Sequence, residues 1–317
     1  MPPLPSEPIP PATPSLRAAD RPRPGPDRRV AAPPHPHPKA PDLRLPPGSC
    51  DAHCHIFGPG HVFPYAEGRV YDAPDVSRED LRRRHELMGV ERAIIVQSAV
   101  HGFDHSALLD ALRAAPDRYR GVALLGPRTT PEEVAELHRA GVRGVRVQFM
   151  PHLGPGPTPE ELRTVLDLVR PYGWHVAFHI AGNAVVDMFH TIRSTRLPAV
   201  IDHMARVDLG TGLDGAQVRA LRGLLDSGVW VKLSAPERLS AEGAPYADAI
   251  ELARVLAAHA PERCLWGSDF PHPNVREMPD DGVLVDLLER IVPDEGARRR
   301  LLVDNPAELV DFPEVSR

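Results

Sequence analysis

Cysteine is scarce in this chain: Cys50, Cys54 and Cys264 are the only three, and no C-x-x-C spacing links them. An odd number without a paired pattern excludes a disulfide framework and leads us to expect a reducing, cytoplasmic setting. No apolar run approaches the roughly 20 residues needed to cross a bilayer. The N-terminus also lacks the apolar centre of a secretory leader, so neither a membrane partner nor export is expected. Basic clusters are missing too. The formal net charge is −6, and the excess of acid lies in the longer C-terminal part, because the first 47 residues carry more Lys and Arg than Asp and Glu. A nucleic-acid surface is excluded on that ground. Glycine-rich phosphate loops are likewise absent, since no G-x-G-x-x-G follows a strand-like segment. That argues against an open dinucleotide-binding sheet.

Proline is what the chain has in excess. Of 38 prolines, 17 fall in the first 47 residues, in runs such as Arg21-Pro-Arg-Pro-Gly-Pro and Pro34-His-Pro-His-Pro. With almost no apolar periodicity, Met1 to about Pro47 cannot bury enough surface to offset chain ordering. It is expected to be a disordered or polyproline tail.

From about Ser49 the pattern changes to short apolar runs alternating with amphipathic stretches. Strands are expected at Cys50–Ile56, Arg92–Gln97, Gly121–Leu125, Val145–Phe149, His175–Ile180, Ala199–His203, Val229–Leu233 and Cys264–Gly267. Helical patterns lie between and after them, one of them over Ala184–Ser194, and several are opened by caps or first-turn acids: Ser77 ahead of Asp80, Thr130-Pro-Glu-Glu and Thr158-Pro-Glu-Glu. The strands are continuous apolar runs, as in a parallel sheet covered by helices. Eight β-α units over this length match a (β/α)8 TIM barrel, expected to fill residues 48–317.

Asp51-Ala-His53-Cys-His55 is the most informative motif. Side chains alternate along a strand, so His53 and His55 share a face while Cys54 points away. Two neutral imidazoles on one face make half a site for Zn²⁺, Mn²⁺ or a similar ion. In a barrel, polar residues at the C-terminal strand ends converge at one mouth, which gathers His179, His203 and Asp269 with the pair. Arg146, Arg206 and Arg238 fall near the same mouth. A guanidinium on a core strand is costly without an anionic partner. They therefore point to carboxylate or sulfonate groups on a substrate, or else to structural pairing with Asp202, Glu237 or Asp269. Tyr71 and Ser98 are further candidates for polar substrate contacts.

With Gly144-Val-Arg146, Asp202-His203-Met-Ala-Arg206, Val231-Lys-Leu-Ser234 with Arg238, Trp266-Gly-Ser-Asp269-Phe-Pro-His-Pro and Asn305-Pro-Ala, the chain resembles the amidohydrolase superfamily over about residues 49 to 312. More narrowly it resembles the branch of 2-pyrone-4,6-dicarboxylate and 4-sulfomuconolactone hydrolases. The resemblance implies an active-site core of His53, His55, His203 and Asp269, with Arg146, Arg206 and Arg238 holding the substrate's acid groups. In the pyrone dicarboxylate enzymes of this branch a tyrosine occupies the fifth-strand position and the reaction runs without metal. Here His179 stands there, completing the ligand set of metal-dependent members.

The expectation is therefore hydrolysis of a small anionic lactone. One divalent ion would be held by His53, His55, His179 and Asp269; metal-free operation is the variant. Asp269 would be the base and His203 would orient water or stabilise the oxyanion. A non-oxidative decarboxylase on the same barrel, or an inactive binding module, are the alternatives. Oligomeric state is left open.

Overall fold

The computed structural model describes residues 28–153 and 156–313. Eight strands are laid down in chain order: β1 (Cys50–Cys54), β2 (Arg92–Val96), β3 (Tyr119–Ala123), β4 (Val142–Gln148), β5 (His175–His179), β6 (Ala199–Ile201), β7 (Trp230–Ser234) and β8 (Cys264–Gly267). Each is hydrogen-bonded in parallel to the next, and helices in the connections cover the outer face. The expected barrel is thus present, with strand bounds shifted by a few residues. Its ends meet just past the strands, where Asp269 N donates to the His53 carbonyl and His55 N donates to the Phe270 carbonyl, both at 2.8 Å. Gly267 makes this seam feasible. A Cβ there would lie 2.6 Å from the His53 Cβ and 2.7 Å from its backbone nitrogen.

The helices start where their first-turn residues dictate. Ser77 with Asp80, Thr130 with Glu133 and Thr158 with Glu161 each form a reciprocal cap, opening α1 (Arg78–Met88), a helix over Pro131–Arg139 and another over Pro159–Val169. Such caps contribute about 1 kcal/mol each. The stripes they align, Leu81, Val134 and Leu162 among them, pack on outward strand residues such as Ile95, Val145 and Phe178. Inside the barrel, Ala52, Ile94, Val122, Ala177, Val200 and Leu265 fill the lower layers, with Phe312 in the same cluster. Burial of each large aliphatic or aromatic side chain is worth roughly 1.5–3 kcal/mol.

Three expectations are corrected. The helical pattern over Ala184–Ser194 is broken at Met188 into Ala184–Asp187 and Phe189–Arg193. Strand β6 stops at Ile201 and does not reach His203. The third concerns the proline-rich segment. Residues 1–27 lie outside the described residues, but 28–47, expected to belong to a disordered tail, are laid along the barrel. Arg29–Val30 pairs with Tyr71–Asp72. Arg84 donates to the His35 carbonyl at 2.8 Å, and Lys39 Nζ meets Asp286 at 2.6 Å. Proline keeps a segment from building its own core; it does not stop an extended strap from lending backbone donors and carbonyls to a preformed surface.

Candidate active site

The C-terminal mouth of the barrel holds a cavity of about 400 Å³ whose lining includes His55, His179, His203, Asp269, Arg146, Arg206, Arg238, Tyr71 and Ser98. All nine were singled out in the sequence. His53 lies directly beneath, fully buried.

Local backbone explains how these side chains arrive. Along β4, β5 and β7 the inward residues alternate: Gly144, Arg146 and Gln148; His175, Ala177 and His179; Trp230, Lys232 and Ser234. A register irregularity between Asp51 and Cys54 turns His53 inward directly after inward Ala52, leaving Cys54 in the outer core as expected. Gly144 leaves room for the His175 ring, which a Cβ would approach to 2.4 Å. After β6 the chain makes a left-handed turn through His203, Met204, Ala205 and Arg206, with φ of 52°, 50°, 53° and 42°. Left-handed non-glycine residues cost roughly 1–2 kcal/mol each. Strain of this kind collects at functional sites, and here it swings His203 and Arg206 into the mouth.

Asp269 is the hub. Its Oδ1 lies 3.4 Å from His55 Nε2 and 3.7 Å from both His53 Nε2 and His203 Nε2. Its Oδ2 accepts from Arg238 Nε at 2.7 Å. Burial alone would push this carboxyl up, but the Arg238 guanidinium holds it well below the usual range. The imidazoles of His53, His179 and His203 are kept neutral by their surroundings. Burial and then Lys232 push His53 down to about 3. Burial also holds His203 and His179 well below their ordinary value.

Outer contacts fix ring orientation. His55 Nδ1 donates to the Val96 carbonyl at 2.8 Å, which leaves the Nε2 lone pair free to face the cavity. His203 Nδ1 shares a hydrogen bond with Ser234 Oγ at 2.8 Å. His53 Nδ1 lies 3.1 Å from Lys232 Nζ in hydrogen-bond geometry and 3.3 Å from Asp202 Oδ1. His53 Nε2 has no partner among the described residues.

This donor set fits a divalent cation in part. His53, His55 and Asp269 offer ligand atoms within 4.8 Å of one another, and one orphaned imidazole nitrogen lies among them. His179, assigned to the set from sequence, is not in that group: Arg206 Nη2 donates to its Nε2 at 3.3 Å. His203 lies nearer the carboxylate than His179 does.

The arginines divide. Arg146 Nε is held by Asp202 Oδ2 at 2.8 Å and Arg238 by Asp269, so structural pairing accounts for these two. Arg206 has no carboxylate partner among the described residues, and its Nε is unpaired. Burial and neighbouring Arg238 lower it to about 10. Tyr71 Oη lies 3.3 Å from Ser98 Oγ in the same cavity lining. The sequence reading assigned no role to Lys232, although it stands in a quoted motif, and it missed Arg29, hidden among prolines. Inward parity with Trp230 and Ser234 was the signal available for Lys232.

A parallel eight-stranded barrel that gathers imidazoles, one ionised carboxylate and guanidiniums at its C-terminal mouth defines a barrel enzyme. The chain belongs to the amidohydrolase family, whose model matches residues 50–312. It is 40% identical over 271 residues to a 4-sulfomuconolactone hydrolase of Rhizobium radiobacter, covering 84% of this chain and 90% of that one. It is 36% identical over 284 residues to a 2-pyrone-4,6-dicarboxylate hydrolase of Comamonas testosteroni, covering 86% and 93%. A solved protein of Acinetobacter baumannii, described as a probable 2-pyrone-4,6-dicarboxylic acid hydrolase with citric acid bound, superposes with a TM-score of 0.73 at 25% identity, covering 84% of this chain and 100% of that one.

Proposed function

We propose that this protein hydrolyses a small lactone bearing carboxylate or sulfonate groups. One observation carries the reading: an ionised carboxylate, Asp269, ringed by imidazoles, lies in a cavity with Arg206, a guanidinium that has no carboxylate partner among the described residues. Both relatives named above are hydrolases of anionic lactones, which favours ring opening over decarboxylation.

Asp269 is positioned to take a proton from the attacking water and to return it to the leaving oxygen. Its depressed pKa keeps it ionised at neutral pH. His203 is placed to hold that water or to donate to the developing oxyanion, a role worth about 10²–10³ in rate. Arg206, with the free edges of Arg146 and Arg238, would grip the acid groups and fix the ring over Asp269. Tyr71 and Ser98 line the same cavity and would offer hydroxyl contacts to the substrate. His53, His55 and Asp269 would hold a divalent ion, zinc or manganese, while His179 accepts from Arg206 outside that group. Such an ion supplies Lewis acidity and a lowered pKa for water.

The test is a panel of carboxylated and sulfonated lactones, followed by acid release in weak buffer beside metal analysis of the same preparation. Ring opening yields one acid equivalent per turnover and is lost in Asp269→Asn. Release of CO₂ without ring opening would overturn the hydrolase reading.

A further inference from the structure

One residue of the cavity lining lies outside the family match, which starts at residue 50. Arg29, on the proline-rich strap, lines the same cavity as Arg206 and Asp269. Its placement follows from register. Arg29 stands opposite Tyr71 in a two-residue parallel ladder, and paired residues of neighbouring strands project to the same side. Tyr71 faces the cavity, so Arg29, itself solvent-exposed where it lines the cavity, does too, while the next residue, Val30, projects to the other face.

The strap is held firmly, but not by Arg29. Arg28 donates to the Glu67 carbonyl at 2.9 Å and Ala31 N to the Asp72 carbonyl at 2.8 Å. Asp42 N and Leu43 N donate to Asp286 Oδ1 at 2.7 and 2.9 Å. Gly282 lies so close to the Lys39 carbonyl that a Cβ would clash with it. The Arg29 side chain itself makes no hydrogen bond or ion pair among the described residues. A guanidinium carried on an anchored backbone, aimed at a cavity and left unused by the fold, is available to a ligand.

Charge pairing within the cavity gives it a role. Arg146 and Arg238 are matched by Asp202 and Asp269, leaving Arg206 unmatched on the inner wall and Arg29 unmatched on the strap. We propose that Arg29 is a specificity-determining residue that binds a second acid group of the substrate, while Arg206 binds the first. The proposal rests on the reading of this cavity as a site for an anionic small molecule, and it selects ligands with two acid groups over those with one.

Citrate, the acid bound by a solved relative, serves as the probe. Its dissociation constant is measured calorimetrically at low ionic strength for the full-length protein and for Arg29→Gln, Arg29→Lys, Arg206→Gln and Arg44→Gln. Arg44 is an exposed strap residue that does not line the cavity, so its variant controls for net charge. Arg29→Gln is expected to weaken citrate roughly three- to fivefold, with Arg29→Lys recovering part of the loss and Arg44→Gln unchanged. Acetate, with one acid group, is expected to compete equally against both wild type and Arg29→Gln. Equal citrate affinity in Arg29→Gln and Arg44→Gln, with Arg206→Gln weakened, overturns the role of Arg29 alone. Citrate binding that is absent from the wild type, or insensitive to Arg206→Gln, overturns the anionic-cavity reading and this inference with it.

Discussion

Lys232 donates to His53: Nζ stands 3.1 Å from Nδ1 with both side chains fully buried. An ammonium has only donors, so Nδ1 accepts and the ring proton rests on Nε2, facing Asp269. Holding a cation through His53 Nε2 calls for the other tautomer, with Nδ1–H turned to Asp202. Lys232→Met removes the competing donor. Zinc affinity, followed by competition with a chelating dye, is expected to rise about tenfold. Stability should fall by roughly 3 kcal/mol in urea melts, because Asp202 loses one of its buried partners. Unchanged zinc affinity in a folded variant would remove Lys232 from control of the site.

Asp269→Asn keeps shape and removes the proton acceptor. Turnover should drop at least about 10³-fold, with the circular dichroism spectrum unchanged. Citrate affinity should hold or improve, since Arg238 is released from its carboxylate. A variant retaining more than a tenth of the activity would show that the base lies elsewhere.

The left-handed turn at His203–Arg206 stores strain that glycine relieves. A buried Ala→Gly change ordinarily costs about 0.5–1 kcal/mol. At Ala205, with φ 53°, the change should instead leave stability unchanged or raise it by up to about 1 kcal/mol. The freed backbone should lower turnover severalfold by loosening His203. Thermal melts beside steady-state rates separate the two effects, and an ordinary destabilisation would refute the strain.

His272 is a buried charge with a predictable pH signature. Burial alone would lower its pKa, but Asp281, 2.9 Å from Nε2, and Glu237 raise it to about 10. Because the folded value exceeds the unfolded one of roughly 6.5, its stabilisation is complete below that pH. It is lost as pH rises through about 10. His272→Gln should therefore cost roughly 3 kcal/mol at pH 6 and progressively less toward pH 10. A cost independent of pH would mean that the folded ring is neutral.

Much of this architecture was legible in the residues. Runs such as Arg92–Val96 and His175–His179 announce buried parallel strands, and Ser77, Thr130 and Thr158 mark helix starts by their own hydrogen bonds. The pairing of His53 with His55 follows from strand alternation, and the placing of Asp269 after β8 follows from barrel order. What was not legible involves contacts across the barrel. The sequence named Asp202, Glu237 and Asp269 as partners for these arginines. Yet Arg146 with Asp202, Arg238 with Asp269 and Arg206 with His179 join different strands or the loops after them, so no local pattern says which arginine each one meets.

The strap shows the same division. Composition correctly denied residues 28–47 a core of their own, yet could not foresee that Asp280 and Asp286, more than 240 positions away, offer acceptors to their backbone. Alternation, capping and apolar period are set by neighbours within a turn or a strand, so the amino-acid order fixes them directly. Which guanidinium keeps a carboxylate and which stays free, how His53 is protonated, and where Arg29 comes to rest depend on the barrel closing at Gly267. Only the folded chain decides them, because their energies come from groups that meet after closure.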